Sequence, residues 1–250
     1  MSSRKKPKTN RKASTAAPAG FDRCMTPAYA LDPLITYLRG LQTRLGRRLI
    51  IWEPAAGEGH IARVLEQHGF IVIASDFSLV GIGRHVIGGV DFFDWAPPVF
   101  DVIVTNPPYS LKYEWYRRAY QLGKPFALLV PIDTLGAQSA QDCYEQFGHE
   151  QGLVKGRINF KMPNKGWAGS SAQFATFWSC WQLLPKPVNY FKITRRVDAE
   201  VFTPYALLGP GVTLDSVVDT TTTTPAPVDT IDEMVVVVGE PADAVQLTLF

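Results

Sequence analysis

The chain has 250 residues, of which 46% are hydrophobic, 19% charged and 12% aromatic, with a formal net charge of +2. This excludes a wholly disordered chain, a collagen and a disulfide-stapled miniprotein, and the length suits one domain with appendages. The small net charge conceals a division: residues 1–20 carry +6, residues 21–196 carry +5 and the remainder −9. Such asymmetry points to an anionic partner for the front of the chain.

Residues 1–20 hold Arg4, Lys5, Lys6, Lys8, Arg11 and Lys12 with no acid and no Leu, Ile, Val or Phe. They read as a disordered basic arm, either touching phosphates or simply solvated. A secretory signal is not expected, because no hydrophobic region follows the basic residues. Arg4 to Lys8 also fits a nuclear-import patch, and the missing large apolar residues argue against an amphipathic transit helix. No apolar run approaches the roughly 18 residues of a membrane-spanning helix, so no membrane partner is expected. Cys24, Cys143 and Cys180 are scattered and form no ligand cluster. No metal site is expected, and the sparse cysteines suit a reducing, cytoplasmic setting, or a nuclear one in a eukaryote.

A globular body is expected over residues 21–208. Leu49 to Trp52 reads as a buried strand, His60 to His68 as a helix, Ile71 to Ala74 as a second strand and Asp101 to Thr105 as the fourth. Leu111 to Leu122 looks helical, and Phe126 to Val130 and Phe174 to Leu184 are again strands. Short apolar strands separated by helices predict an α/β fold with a doubly wound, mostly parallel sheet covered on both faces. Ligands of such sheets bind beyond the carboxyl ends of the strands, so the informative loops follow Trp52, Ala74 and Thr105.

After the first strand, Glu53-Pro54-Ala55-Ala56-Gly57-Glu58-Gly59 opens a helix; Gly57 and Gly59 let the backbone approach a ligand. The dinucleotide fingerprint is incomplete, since Ala56 stands at one glycine position and the third glycine is missing. Asp76 ends the second strand 23 positions after Glu53. It is placed either to hydrogen-bond ribose hydroxyls or to cap a helix; with the glycine turn it favours an adenosine-type cofactor. Val90 to Trp95 is expected to put Asp91 at the next strand end, accepting an adenine amino hydrogen, with Phe92 over the ring or packed in the core.

Asn106-Pro107-Pro108-Tyr109 follows the fourth strand. The prolines stiffen the loop and remove donors, leaving the Asn106 oxygen and the Pro107 carbonyl as a pair of acceptors for an amino group. Tyr109 is suited to stack on the planar group that carries it. Lys112, Arg117 and Arg118 lie beyond and suit phosphates or a solvated helix face. Loop Lys161 to Gly169, with Lys165 and Trp167, reads as a nucleic-acid contact or a mobile surface loop.

Residues 21 to about 185 resemble the class I S-adenosylmethionine-dependent methyltransferases, specifically the adenine-N6 DNA enzymes in the gamma arrangement of motifs. Phe21 to Pro27 is similar to the segment that begins the domain and leans on the cofactor's methionine end. Glu53 to Gly59 resembles the glycine loop, though Glu53-Pro54 replaces the usual aromatic at its head. The resemblance implies a Rossmann-like methyltransferase fold with S-adenosylmethionine as cofactor. It implies cofactor contacts from Thr26, Pro27, Glu53, Ala55, Gly57, Gly59, Asp76, Phe77, Asp91, Phe92 and Asn106. It assigns Asn106, Pro107, Pro108 and Tyr109 to catalysis on a flipped-out base. Few residues remain for a target-recognition domain, so short or relaxed sequence specificity is expected. The same four-residue motif also occurs in RNA-base and protein-glutamine methyltransferases, and a catalytically inactive binding module is the non-enzymatic alternative.

Residues 209–245 are acidic, contain the run Thr220 to Thr224 followed by Pro225 and Pro227, and read as a flexible linker. The last five residues, 246–250, resemble the bacterial sliding-clamp-binding peptide. Gln246, Leu247, Leu249 and Phe250 would make that contact and tether a nucleoid-associated bacterial or phage enzyme to replicating DNA.

Overall fold

The computed structural model describes residues 24–194, apart from 81, 84, 163–165 and 168–173. A single 3-10 turn, Ala28–Ala30, leads into α1 (Asp32–Leu45). This helix has Asp32 and a proline in its first turn and stops at Gly46, whose φ of 67° suits a glycine. Its buried Leu34, Ile35, Leu38 and Leu41 form one apolar stripe.

The sheet and its cover then alternate along the chain. In order come β1 (Ile50–Glu53), α2 (His60–Gln67), β2 (Ile71–Asp76), β3 (Ile87–Gly88) and β4 (Val102–Thr105). They are followed by α3 (Lys112–Leu122), β5 (Phe126–Pro131), α4 (Gln138–Phe147) and β6 (Glu150–Lys155). The last described elements are β7 (Lys161–Met162), β8 (Gly166–Trp167), β9 (Thr176–Trp181) and β10 (Val188–Lys192).

Eight strands form one sheet in the order β10-β6-β9-β5-β4-β1-β2-β3; β7 and β8 form a separate antiparallel ribbon. β3, β2, β1, β4 and β5 run parallel, whereas β9 is antiparallel to both β5 and β6. The chain reverses its direction of travel across the sheet between β1 and β4, the switch point beside which α/β sheets bind ligands. This is the doubly wound, mostly parallel α/β sheet that the sequence predicts.

Side chains on successive strand positions enter opposite cores. Ile51, Val102, Val104, Leu129 and Trp178 pack on one face with α1 and α2. Trp52, Ile103, Leu128, Val130 and Phe177 pack on the other with Trp115 and Tyr116 of α3. Both faces are covered, which is why these strands read as unbroken apolar runs.

Several expected boundaries change. Asp91 does not sit on a strand end: β3 stops at Gly88, and the Asp94 and Trp95 amides bond the Asp91 carbonyl at 3.1 and 2.9 Å, making a turn. The strand expected over Phe174 to Leu184 is confined to Thr176–Trp181, because the Glu150 carboxylate accepts from the Leu183 and Leu184 amides and bends the chain away. α1, α4, β6 and β10 had no expectation attached. The arm, the linker and the clamp-like end lie outside the described residues.

Candidate functional site

The three loops named from sequence do converge. Glu53, Asp76 and Thr105 end neighbouring parallel strands, and beyond them lies a cleft of about 480 Å3. Thr26, Glu53, Ala55, Gly57, Asp76, Phe77, Asp91, Phe92, Asn106 and Pro108 line it. Ten of the expected residues are thus gathered from five separate stretches of chain.

The glycine loop turns because Gly57 and Gly59 take φ values of 51° and 81°, which other residues adopt only at a cost. The Ala56 amide bonds the Ser75 carbonyl at 3.0 Å, and Gly57 N–H donates to Asp76 Oδ2 at 2.8 Å. Asp76 Oδ1 accepts from the Ser78 amide, also at 2.8 Å. No helix begins after Asp76, so the capping reading does not apply; its carboxylate clamps the glycine loop to the end of β2.

Five buried polar atoms lining the cleft have no hydrogen-bond partner among the described residues. They are Thr26 Oγ1, Glu53 Oε2, Asp91 Oδ2, Asn106 Oδ1 and Trp115 Nε1. Buried polar groups are normally satisfied, so a cluster of orphans in one cavity implies a polar ligand. Side-chain oxygens together with an indole donor in one cavity suit the amino, hydroxyl and ring-nitrogen groups of an adenosyl cofactor. Burial pushes the Glu53 carboxyl well above the usual carboxylate range; Asp76 and Glu66 add to the rise and a hydrogen bond from the Ala62 backbone opposes it. His60, at the first position of α2 and also on the cleft, is pushed down to about 4 by burial and by the charges of Lys161 and Arg63.

Asn106 is held in one orientation. Its Nδ2 donates to the Cys24 carbonyl at 3.2 Å, which leaves Oδ1 facing the cleft. The Pro108 carbonyl accepts from the Leu111 amide at 3.0 Å, closing the 3-10 turn Tyr109–Leu111.

Other expectations are corrected. Phe92 is only 2% exposed and is already stacked on Trp115, with centroids 4.0 Å apart and planes at 12°, while its edge meets the cleft. Gly59 is buried and caps α2, and Pro27 precedes the 3-10 turn; neither lines the cleft, nor does buried Pro107. Tyr109 lies beside the cleft, edge-on to Phe174 at 5.6 Å. Lys112 Nζ sits 4.7 Å over the ring of its neighbour Tyr113, and Arg118 Nε donates to the Phe92 carbonyl at 3.2 Å. Arg118 therefore fixes the Asp91 turn and Arg117 alone of that pair is exposed. Lys165 and the side chain of Trp167 lie outside the described residues.

Trp115 and His60 were not legible as site residues. Trp115 reads as one more apolar position on the buried face of α3, where Tyr116, Ala119 and Tyr120 follow it. Its polar handle, an indole N–H, was the available signal. Among the described residues no group of three or more His, Cys, Asp or Glu is arranged to hold a metal, and no helix is long and apolar enough to cross a membrane.

No protein-family model matches the chain, and no curated protein matches it. Solved structures do. PH1948 from Pyrococcus horikoshii, assigned as an RNA methyltransferase, is 13% identical with a TM-score of 0.39, over 58% of this chain and 80% of that one. The N-terminal domain of human METTL16 in complex with SAH is 10% identical with a TM-score of 0.38, over 63% of this chain and 72% of that one. The human methyltransferase 10 domain containing protein is 11% identical with a TM-score of 0.35, over 61% and 84%. Overlaps this loose carry no argument about activity, which has to come from the residues themselves.

Proposed function

We propose that the chain is an S-adenosylmethionine-dependent methyltransferase acting on the exocyclic amine of a nucleobase, with adenine N6 in DNA as its substrate. The observation that carries this is the Asn106 carboxamide. Its nitrogen is occupied by the Cys24 carbonyl and its oxygen is buried, unpaired and turned into the cleft that the glycine loop encloses. An oxygen so placed accepts a hydrogen from an amine and turns the nitrogen lone pair outward.

When bound, S-adenosylmethionine supplies a methyl group on a cationic sulfur that is already a good leaving group. The protein's task is alignment and the exclusion of water. Asp91 Oδ2 would accept from the cofactor's adenine amino group, Asp76 would hold its ribose, and Thr26 and Glu53 would contact its methionine end. Asn106 and the rigid Pro107-Pro108 backbone hold the target amine. Tyr109 stacks on the flipped base once its ring leaves the edge-on contact with Phe174. No general base is needed, because the surplus proton on the methylated nitrogen passes to water.

The DNA reading rests on the basic charge of residues 1–20 and on the clamp-like sequence of residues 246–250. An RNA base is the second reading, because the four-residue motif Asn106 to Tyr109 also resembles that of RNA-base methyltransferases. The protein is incubated with methyl-labelled S-adenosylmethionine and, separately, DNA, RNA and total cell protein. Label is expected on DNA as N6-methyladenine, falling about 100-fold or more in Asn106→Ala while S-adenosylhomocysteine still binds. Label confined to RNA or protein replaces the substrate, and turnover unchanged in Asn106→Ala overturns the site.

A further inference from the structure

The orientation of Asn106 depends on a short backbone segment remote from it in sequence. A carboxamide has two flipped states of nearly the same shape. One presents oxygen to the cleft and donates to the Cys24 carbonyl; the other presents NH2 to the cleft and sets its oxygen against that carbonyl, acceptor facing acceptor. Only the first can hold an amine with its lone pair free. The Cys24 carbonyl selects it, at 3.2 Å.

Cys24 is itself fixed by the residue that follows. Met25 pairs with Lys161 through both backbone bonds of an antiparallel bridge, Met25 N to Lys161 O at 3.0 Å and Lys161 N to Met25 O at 3.1 Å. A second tie lies close by, where the Asn159 amide donates to the Tyr29 hydroxyl at 2.9 Å. The Lys161 side of this pairing is anchored in the core by Ile158, fully buried, and Phe160, 5% exposed. Lys161 is also the first residue of β7, so the bridge continues directly into the β7–β8 ribbon.

We propose that Cys24 and Met25 form a positioning strap that fixes the Asn106 carboxamide, and that the base of the β7–β8 ribbon holds the strap in place through Lys161. The proposal deepens the methyl-transfer reading and rests on it for its kinetic consequence. It makes the ribbon more than a surface contact: whatever displaces its base releases the orientation of the carboxamide. Nucleic acid settling on the ribbon and the poise of the target amine are then parts of one mechanical unit. Met25 and Lys161 are positioning residues, acting through the backbone, and no side chain of theirs has to touch the substrate.

The test separates the backbone of Lys161 from its side chain. Lys161→Pro removes the N–H that Met25 O accepts, at a strand start where proline is tolerated; Lys161→Ala keeps the N–H and removes the ammonium. With the acceptor found in the labelling assay, Lys161→Ala is expected to hold kcat within about twofold, because both backbone bonds to Met25 survive. Lys161→Pro is expected to lower kcat tenfold or more while S-adenosylhomocysteine binding and the thermal midpoint stay close to those of Lys161→Ala. Equal kcat in the two variants overturns the proposal. A readout independent of activity is hydrogen exchange of the Asn106 side-chain amide, identified by its loss from the spectrum of Asn106→Ala. It is expected to exchange at least tenfold more slowly than the exposed Gln67 amide in the wild type and as fast as Gln67 in Lys161→Pro. Exchange as fast as Gln67 in the wild type overturns the strap even where Lys161→Pro does not fold. Absence of any methylated acceptor, with the slow exchange intact, overturns the proposed function and leaves the strap standing.

Discussion

Replacing Glu53 by Gln should remove a pH dependence of stability that the wild-type protein carries. Glu53 is 1% exposed at the end of β1, faces Asp76 and Glu66, and leaves Oε2 without a partner among the described residues. An ionised carboxyl there would be an anion with two like charges as neighbours and one bare oxygen. Burial, the larger cause, and those charges raise its folded pKa well above the ordinary 4.5. A raised folded pKa means that the folded state binds the proton more tightly than the unfolded one. The resulting stability is complete below pH 4.5 and is lost as pH rises toward the folded pKa, at roughly 1 kcal/mol per pH unit. Glutamine has the shape of the neutral acid and no proton to lose. Urea unfolding of both proteins between pH 5 and pH 8 provides the comparison, with the difference in free energy as the readout. Most other titrating groups are common to both proteins and cancel in that difference. Near pH 5 the two should be of similar stability, and the glutamine variant should gain steadily on the wild type as pH rises. A difference that stays flat across the range would mean that Glu53 ionises in the folded protein, and the account of a neutral, hydrogen-donating carboxyl in the cleft would fail.

His149 provides the opposite sign. Its ring stacks on Tyr144 at 3.7 Å, bonds Ser179 Oγ at 2.7 Å and is pushed down by burial to about 4. The unfolded chain therefore takes up this proton first, and stability falls as pH drops from 6.5 toward 4. His149→Phe should cost about 1 kcal/mol at pH 7.5 through the lost hydrogen bond, then overtake the wild type by pH 4.5, where linkage amounts to about 3 kcal/mol; parallel urea curves at the two pH values would refute it. For the end of the chain, a peptide of residues 241–250 should bind a bacterial sliding clamp saturably, with Leu249→Ala and Phe250→Ala together abolishing it, and absence of saturable binding removes the tether from the proposal.

The fold was legible because its strands are buried on both faces. Val102 to Val104 and Phe126 to Val130 are uninterrupted apolar runs for that reason, and the glycine turn and Asp76 mark the ends of β1 and β2. β6 and β10 escaped because they are half exposed, with Gln151, Lys155, Asn189 and Lys192 interrupting them, and their pairing to β9 and to each other is non-local. In the site, residues with a local reason to be where they are, such as Gly57 or Asn106, were readable. Sequence left Phe92 between cofactor and core, because the choice depends on Trp115, a helix away, which stacks on its ring. The link from Lys161 through Met25 and Cys24 to Asn106 had no sequence signal at all, since every bond in it ends on a backbone atom at one side or both.

The charge pattern of the cleft bears on which adenosine cofactor it suits. Glu53, Glu58, Asp76 and Asp91 line it, and among the described residues no Lys or Arg does. A dinucleotide brings a pyrophosphate to the glycine loop, where it relies on free amides at the helix N-terminus and on the absence of nearby anions. Here the Gly57 amide is already given to Asp76, the Gly59 amide to the Ala56 carbonyl at 2.8 Å, and Glu58 stands between them. Two negative phosphates would meet carboxylates and find those donors taken. A sulfonium has the opposite charge, and the same carboxylates stabilise it in a partly water-excluded cavity where Coulomb interactions are strong. Burial shifts Glu53 and His60 toward their neutral forms, so Glu58, Asp76 and Asp91 carry the negative field, Glu53 adds less to it, and His60 does not set a second cation beside the sulfonium. The acidic cleft therefore suits a cationic cofactor, whereas the +6 charge of residues 1–20 is the feature that the proposed polyanionic substrate would call on.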